Sequence, residues 1–227
     1  MKALIYKEFK LAMHPMCYLF VILFPLMILI PSYPLGIGFI YVLSCYPVLF
    51  LGANKGQQSN DLLYSTLLPV RKKDIVLARI LTVIFMQLAF ILITSAFYPA
   101  ARVIHEAIKS SSKNPKDYFI PGFGHDSYVL VLAMAIIGYA LADLIFFPIY
   151  YKKGKSIVMS TLFTIFGFVV YIGVFTIALP YIPGLEFLDH LHLGIQFVIL
   201  FAAILVSFVL HIAVYKVSSK RLERVDF

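Results

Sequence analysis

Long apolar runs are the feature that most constrains the fold of this chain. Residues 193–215 contain no Asp, Glu, Lys or Arg, and comparable runs recur along the sequence. A helix needs about 20 mostly apolar residues to cross the hydrocarbon core of a bilayer. The chain is 62% hydrophobic and only 13% charged, whereas a soluble domain is about half apolar and a quarter charged. The sequence therefore predicts a helical membrane protein.

The runs divide the 227 residues into one transmembrane domain, 1–227, with no stretch left for a soluble catalytic domain. We expect an all-α polytopic fold with six membrane-spanning helices. The predicted spans are about 16–33, 35–54, 75–100, 128–150, 156–180 and 193–215. Residues 1–14 place apolar side chains on one side of a helix and Lys2, Lys7 and Lys10 mostly on the other. That pattern is typical of an interfacial helix held by apolar burial and by anionic lipid.

The distribution of Lys and Arg predicts the orientation in the membrane. Placing both termini in the cytoplasm puts fifteen of these residues inside and four outside. Loops rich in Lys and Arg stay in the cytoplasm. The net charge of +8 therefore reflects membrane topology, and no nucleic-acid partner is expected.

Two short motifs are weaker than they first look. The Gly-Lys-Ser of residues 154–156 lacks the glycine that a P-loop requires five positions before its Gly-Lys pair, because Ile149 stands there. No ATP site is expected in this chain. Asp189, His190 and His192 could hold a metal, but no further ligand has suitable spacing, and a polar external turn is the preferred interpretation. We predict no metal and no catalytic residue.

Asp143 is the clearest anomaly inside a predicted span. It lies about eight residues, or roughly 12 Å, from the cytoplasmic end of span four. A carboxylate at such depth costs about 2.5–3.5 kcal/mol unless it is paired or protonated. Arg79, one turn inside span three, is the predicted partner in a buried pair. A place in a polar translocation path and the lining of a watery cytoplasmic vestibule are the alternatives.

Residues 60–68, between spans two and three, read as a helix of about two turns. Asn60 can cap its start, Asp61 suits the positive end of its dipole, and Pro69 ends it. A helix this short is unstable alone. It therefore needs the bilayer surface or another protein to pack on. Asp74 is the predicted N-cap of span three, so that a push on the short helix would pass directly into the spans.

A resemblance rests on these residues. The stretch "NDLLYSTLLPVRKKDIVLARIL" resembles the segment after the second span of ABC-2 type permeases. The N-terminal "LIYKEFKLAMHP" and the later "FPIYYKKGK" are similar to that family as well. Among its branches, the small permeases of the phenol-soluble modulin exporters of Gram-positive bacteria are the most similar.

The resemblance implies an ABC-2 exporter fold in the cell membrane, with two permease copies, alike or different, and two separate ABC ATPase subunits. ATP and Mg would be bound by the ATPase and not by this chain. The substrate would be an amphipathic, phenol-soluble-modulin-like or antimicrobial peptide, since related permeases clear such peptides or serve bacteriocin immunity. The implied ATPase-coupling residues are Asn60, Asp61, Leu63, Tyr64, Leu67, Leu68 and Arg71, with Lys153 and Lys155 in a second contact. A non-transporting membrane signalling or immunity protein, or an intramembrane enzyme, is the alternative.

Overall fold

The computed structural model describes residues 2–13, 15–26, 29, 65, 69–111, 128–153, 157–174 and 192–224. The regular structure of these residues is helical throughout. The α-helices are α1 (Lys2–Lys7), α2 (Pro15–Leu26), α3 (Lys72–Ser111), α4 (Tyr128–Lys153), α5 (Ile157–Ile172) and α6 (Leu193–Glu223), with a π-helical turn at Glu8–Ala12 after α1.

Within the described residues, three helical segments are long and apolar enough to cross a membrane. They are Lys72–Ile104, Tyr128–Lys152 and Leu193–Glu223, which overlap the predicted spans three, four and six. The apolar parts of α2 and α5, Cys17–Leu26 and Met159–Tyr171, are shorter. The predicted span 35–54 lies outside the described residues, so the count of six spans stays a prediction. The all-helical membrane fold is confirmed.

α4 packs most extensively on α6, and α5 packs on α4 as well. α6 also packs on α3, as do α2 and the N-terminal helix. Small residues let α5 approach α4 closely: a Cβ placed on Gly138 would lie only 2.9 Å from a ring carbon of Tyr171. Such small residues are typical of helix contacts in membranes, where close backbone packing replaces the hydrophobic effect.

Side-chain contacts give the directions of the long helices. Between α3 and α4, Arg79 contacts Tyr150, Gln87 contacts Asp143, and Ser95 contacts Tyr128. Residue numbers rise along α3 as they fall along α4, so the two helices are antiparallel. α6 runs parallel to α4, because His211 contacts Asp143 and the later Arg221 contacts Pro148.

The outer surfaces of α5 and α6 are apolar. Phe166 is 70% exposed and Phe201 is 63% exposed, and many neighbouring Leu, Ile and Val side chains are exposed with them. A soluble monomer rarely leaves such continuous apolar surface in water. The surface fits contact with lipid acyl chains, as expected for a membrane protein.

Candidate functional site

The charged contacts concentrate where α3 begins and where α4 and α6 end. Each of these helix ends carries Lys or Arg, and we call this part of the bundle the basic end. Two contacts at the basic end join α6 to α3 and to α4. Lys73 Nζ lies 3.3 Å from Glu223 Oε1 on the surface, and Arg221 Nη1 donates to the carbonyl oxygen of Pro148 at 2.5 Å.

A buried ion pair joins the N-terminal helix to α3 at the basic end. Arg79 Nε donates to Glu8 Oε2 at 3.0 Å, and Nη2 lies 3.4 Å from Oε1. The two side chains are 3% and 4% exposed. Arg79 Nη1 also donates to the Tyr150 hydroxyl at 3.2 Å. The planar guanidinium, with its donors in a fixed fork, thus holds a carboxylate on one side and α4 on the other.

The π-helical turn keeps Glu8 and its neighbours facing the protein. The amide of Met13 donates to the carbonyl of Glu8 at 2.9 Å, across five residues instead of four. Leu4, Glu8 and Met13 are all buried. In a regular α-helix Met13 would be rotated away from the side that carries Leu4 and Glu8, because each turn holds 3.6 residues. The widened turn restores it to the core.

Lys7 extends this pair toward residues 60–68. Its Nζ lies 3.6 Å from Glu8 Oε1 and donates to Ser65 Oγ. Ser65 is fully buried and is the only residue of 60–68 among those described. The sequence pattern places Lys7 on the polar side of the N-terminal helix, and the structure shows that its ammonium group contacts a carboxylate and a hydroxyl of the protein.

A second polar cluster lies deeper in the bundle. Asp143 on α4 is fully buried. Its Oδ2 accepts a hydrogen bond from Gln87 Nε2 of α3 at 3.1 Å and lies 3.1 Å from His211 Nε2 of α6. The other ring nitrogen of His211, Nδ1, lies 2.7 Å from the Ser207 carbonyl oxygen.

The hydrogen bonds of this cluster require one proton more than a neutral His211 and an ionised Asp143 carry together. A carbonyl oxygen only accepts, so His211 Nδ1 is the donor to Ser207. A carboxylate also only accepts, so a hydrogen bond between Nε2 and Asp143 needs a proton on one of the two groups. In both arrangements, imidazolium with carboxylate or imidazole with carboxylic acid, the pair has no net charge. This neutrality removes most of the cost of an acid within the membrane.

The predicted pair of Arg79 with Asp143 is corrected by these contacts. Arg79 forms its ion pair with Glu8, and Asp143 is hydrogen-bonded to His211. Arg79 reaches α4 at Tyr150 and His211 reaches it at Asp143. These two positions on α4 are seven residues, or about 10 Å, apart. Sequence reasoning measured the depth of each charge in its own span and overlooked two partners. One is Glu8 of the N-terminal helix, and the other is His211, the only ionisable residue between 193 and 214 of the sequence.

The predicted coupling residues are described only in part. Arg71 is exposed, and its carbonyl accepts from the amides of Asp74 and Ile75 at 2.9 and 3.4 Å, which starts α3. Asp74 lies inside the first turn of α3 and not at its N-cap. Lys153 ends α4. The others lie outside the described residues, namely Asn60, Asp61, Leu63, Tyr64, Leu67, Leu68 and Lys155.

Among the described residues, no group of three or more His, Cys, Asp or Glu is placed to hold a metal ion. His192 has a structural part instead: its Nδ1 accepts from the Gly194 amide at 3.3 Å and caps the start of α6. Asp189 and His190 lie outside the described residues.

The family comparison covers nearly the whole chain. The family model described as "ABC-2 family transporter protein" matches residues 3–219. No curated protein and no solved structure matches the chain significantly. The matched range contains all of α2 to α5 and most of α1 and α6, and it includes Glu8, Arg79, Asp143 and His211. The chain belongs to the ABC-2 transporter family of membrane proteins, whose members are the transmembrane subunits of ABC transporters.

Proposed function

We propose that this chain is the permease subunit of an ABC exporter that moves an amphipathic peptide out of the cell, with ATP hydrolysed by a separate ATPase subunit. Membership of the ABC-2 family is the observation that carries the proposal. The family implies a membrane location and an ABC ATPase partner. Ile149 stands where a P-loop would have glycine, which agrees with ATP being hydrolysed by a separate subunit.

The basic end is the proposed cytoplasmic side. Positive loops are retained in the cytoplasm, and this end gathers the Lys and Arg residues of three helices. An ATPase that hydrolyses cytoplasmic ATP would have to dock at this side. Both termini of the chain, in a Gram-positive cell membrane, would then face the cytoplasm.

Residues 60–68, which we call the coupling segment, are the proposed ATPase contact. Their length favours a helix that must pack on a partner. The buried contact of Ser65 with Lys7 supports a segment that is held against the N-terminal helix. Lys153, which ends α4, and Lys155, two residues later in the sequence, form the proposed second contact, and Arg71 borders the first.

The proposed substrate is a phenol-soluble-modulin-like or related antimicrobial peptide, and two permease copies would line its path. The substrate proposal rests on the resemblance of the coupling segment and its flanks to one branch of the family. For Asp143, the contacts with Gln87 and His211 favour a structural role over a position in the translocation path.

Replacement of Tyr64 and Leu67 by Asp tests the docking proposal. Two carboxylates would abolish apolar docking, so we expect the ATPase to be lost from the purified complex while the spans remain inserted. The matched control is Y118D/F119D, which again replaces a tyrosine and a large apolar residue by Asp, in the loop predicted to lie outside the cell. ATPase retained by Y64D/L67D, or lost equally from both variants, would contradict the assignment.

A further inference from the structure

We infer that the N-terminal helix passes movement of the coupling segment to α3 and α4, with Glu8 and Arg79 as the positioning residues of this connection. The inference rests on the proposed function, because it assumes that an ATPase moves the coupling segment. It goes beyond that function in assigning a mechanical role to two residues outside the coupling segment, Glu8 of the N-terminal helix (α1 with its π-helical turn, Lys2–Lys7 and Glu8–Ala12) and Arg79 of α3.

The contacts form one continuous series. Ser65 of the coupling segment bonds to Lys7, Lys7 lies beside Glu8, Glu8 pairs with Arg79 of α3, and Arg79 bonds to Tyr150 of α4. Four parts of the chain are therefore joined by side chains within reach of one another. A continuous chain of hydrogen bonds and ion pairs of this kind can carry energetic coupling between distant segments.

The covalent route from the coupling segment to α3 is less well suited to pass on a push. Residues 69–71 are outside any helix, and all three are exposed. A short non-helical link can change its backbone angles without disturbing packed neighbours. The expectation that a push passes directly along the chain into span three is therefore replaced by a route through buried side chains.

Charge and burial make the Glu8–Arg79 contact stiff. Both side chains are almost fully removed from solvent, so separating them would leave the charge of Arg79 inside the protein without its carboxylate. Breaking a buried pair in this way costs far more than breaking an exposed one. Lys7 adds a second cation beside the same carboxylate. When the N-terminal helix shifts, Arg79 must follow Glu8, and α3 and Tyr150 shift with it.

The test measures ATP turnover by the ATPase alone and in the reconstituted complex, so that no substrate has to be identified. Because coupling is reciprocal, a permease that senses the ATPase also changes its turnover. For E8Q and R79Q we expect the ATPase to remain bound, while the change in turnover caused by the permease falls at least about fivefold. The charge exchange E8R/R79E should restore most of it.

The matched control is E106Q. Glu106 pairs with Arg102 at 3.0 Å, the same distance as in the buried pair, but both side chains are more than half exposed. We expect turnover in E106Q to equal that of the unmodified complex. If E8Q and R79Q changed turnover no more than E106Q does, the inference would be overturned.

A second variant separates transmission from folding. K7M/S65A removes the Lys7–Ser65 contact and leaves the Glu8–Arg79 pair intact, so the fold should survive even if E8Q does not. Reduced coupling in this variant, with the ATPase still bound, supports the connection. Unchanged coupling refutes it. Failure of the unmodified permease to bind any ATPase would instead refute the proposed function itself.

Discussion

Removal of His211 tests the proton count at the deeper polar cluster. In H211A, Asp143 keeps the hydrogen bond from Gln87 at 3.1 Å but loses the partner that shares its proton. Asp143 is fully buried, so its carboxyl group has no contact with bulk water to begin with. A hydrogen bond to a charged group contributes about 1.5–3 kcal/mol, whereas hydrogen bonds between membrane helices average about 0.6. Because the acid can also be neutralised by taking a proton itself, we expect H211A to lower the free energy of unfolding by about 2 kcal/mol.

Two further variants make this expectation specific. In D143N the amide nitrogen can take the place of Oδ2. It can donate one hydrogen to His211 Nε2 and the other to the Gln87 side-chain oxygen once that amide has turned over, so no extra proton is needed and the loss should be below about 1 kcal/mol. In D143L/H211A both ionisable groups are gone and the combined side-chain volume is nearly kept. That double variant should be less destabilised than the sum of D143L and H211A by about 1 kcal/mol or more.

The assay is reversible unfolding of the purified protein by SDS from mild detergent micelles, followed by circular dichroism. H192A is the matched control, since the same substitution in the same helix removes only a cap at an exposed position and should cost about 1 kcal/mol or less. Strict additivity of D143L and H211A, or a D143N variant as unstable as H211A, would refute the account of a shared proton.

Three more substitutions test the packing. G138A should lower stability by about 1 kcal/mol or more, because its Cβ would meet an aromatic ring of α5 at 2.9 Å, whereas G173A has no atom within 4 Å and should cost nothing; thermal unfolding of the two compares them. Y128F should lower stability by about 1 kcal/mol, because the 3.0 Å hydrogen bond with Ser95 is lost while the ring stays stacked on Tyr98. A double variant S95A/Y128F that is no less stable than the less stable single variant would confirm this in the same assay. E223Q breaks only an exposed ion pair and should change stability by less than about 1 kcal/mol; a larger loss in SDS unfolding would contradict that expectation.

The sequence predicts the long helices well because hydropathy records the contact of a helix with lipid. It predicts the helix ends less well, because the apolar pattern ends at the membrane surface whereas the helix continues beyond it. α6 continues from the predicted end at 215 to Glu223. Ser218, Ser219 and Leu222 are buried in this extension, so packing against neighbouring helices, and not lipid, stabilises it.

Partner choice is the part that sequence reasoning could not obtain. Depth alone made Arg79 and Asp143 plausible partners, but depth does not give the rotation of each helix or the place of the N-terminal helix. Two signals were present. Glu8 is the only acid in residues 1–14, and His211 is the only strongly polar ionisable group in an apolar run that otherwise lacks charge. Polar residues in such surroundings need partners, because an unpaired polar group in the membrane is costly.

The central claim is that a separate ATPase powers this chain, and affinity purification from native membranes tests it most directly. The tagged protein should bring down a soluble ATPase subunit with Walker motifs, and the complex should hydrolyse ATP faster when an amphipathic peptide such as a phenol-soluble modulin is added. A chain that purifies from gently solubilised membranes without any ATPase would contradict the claim.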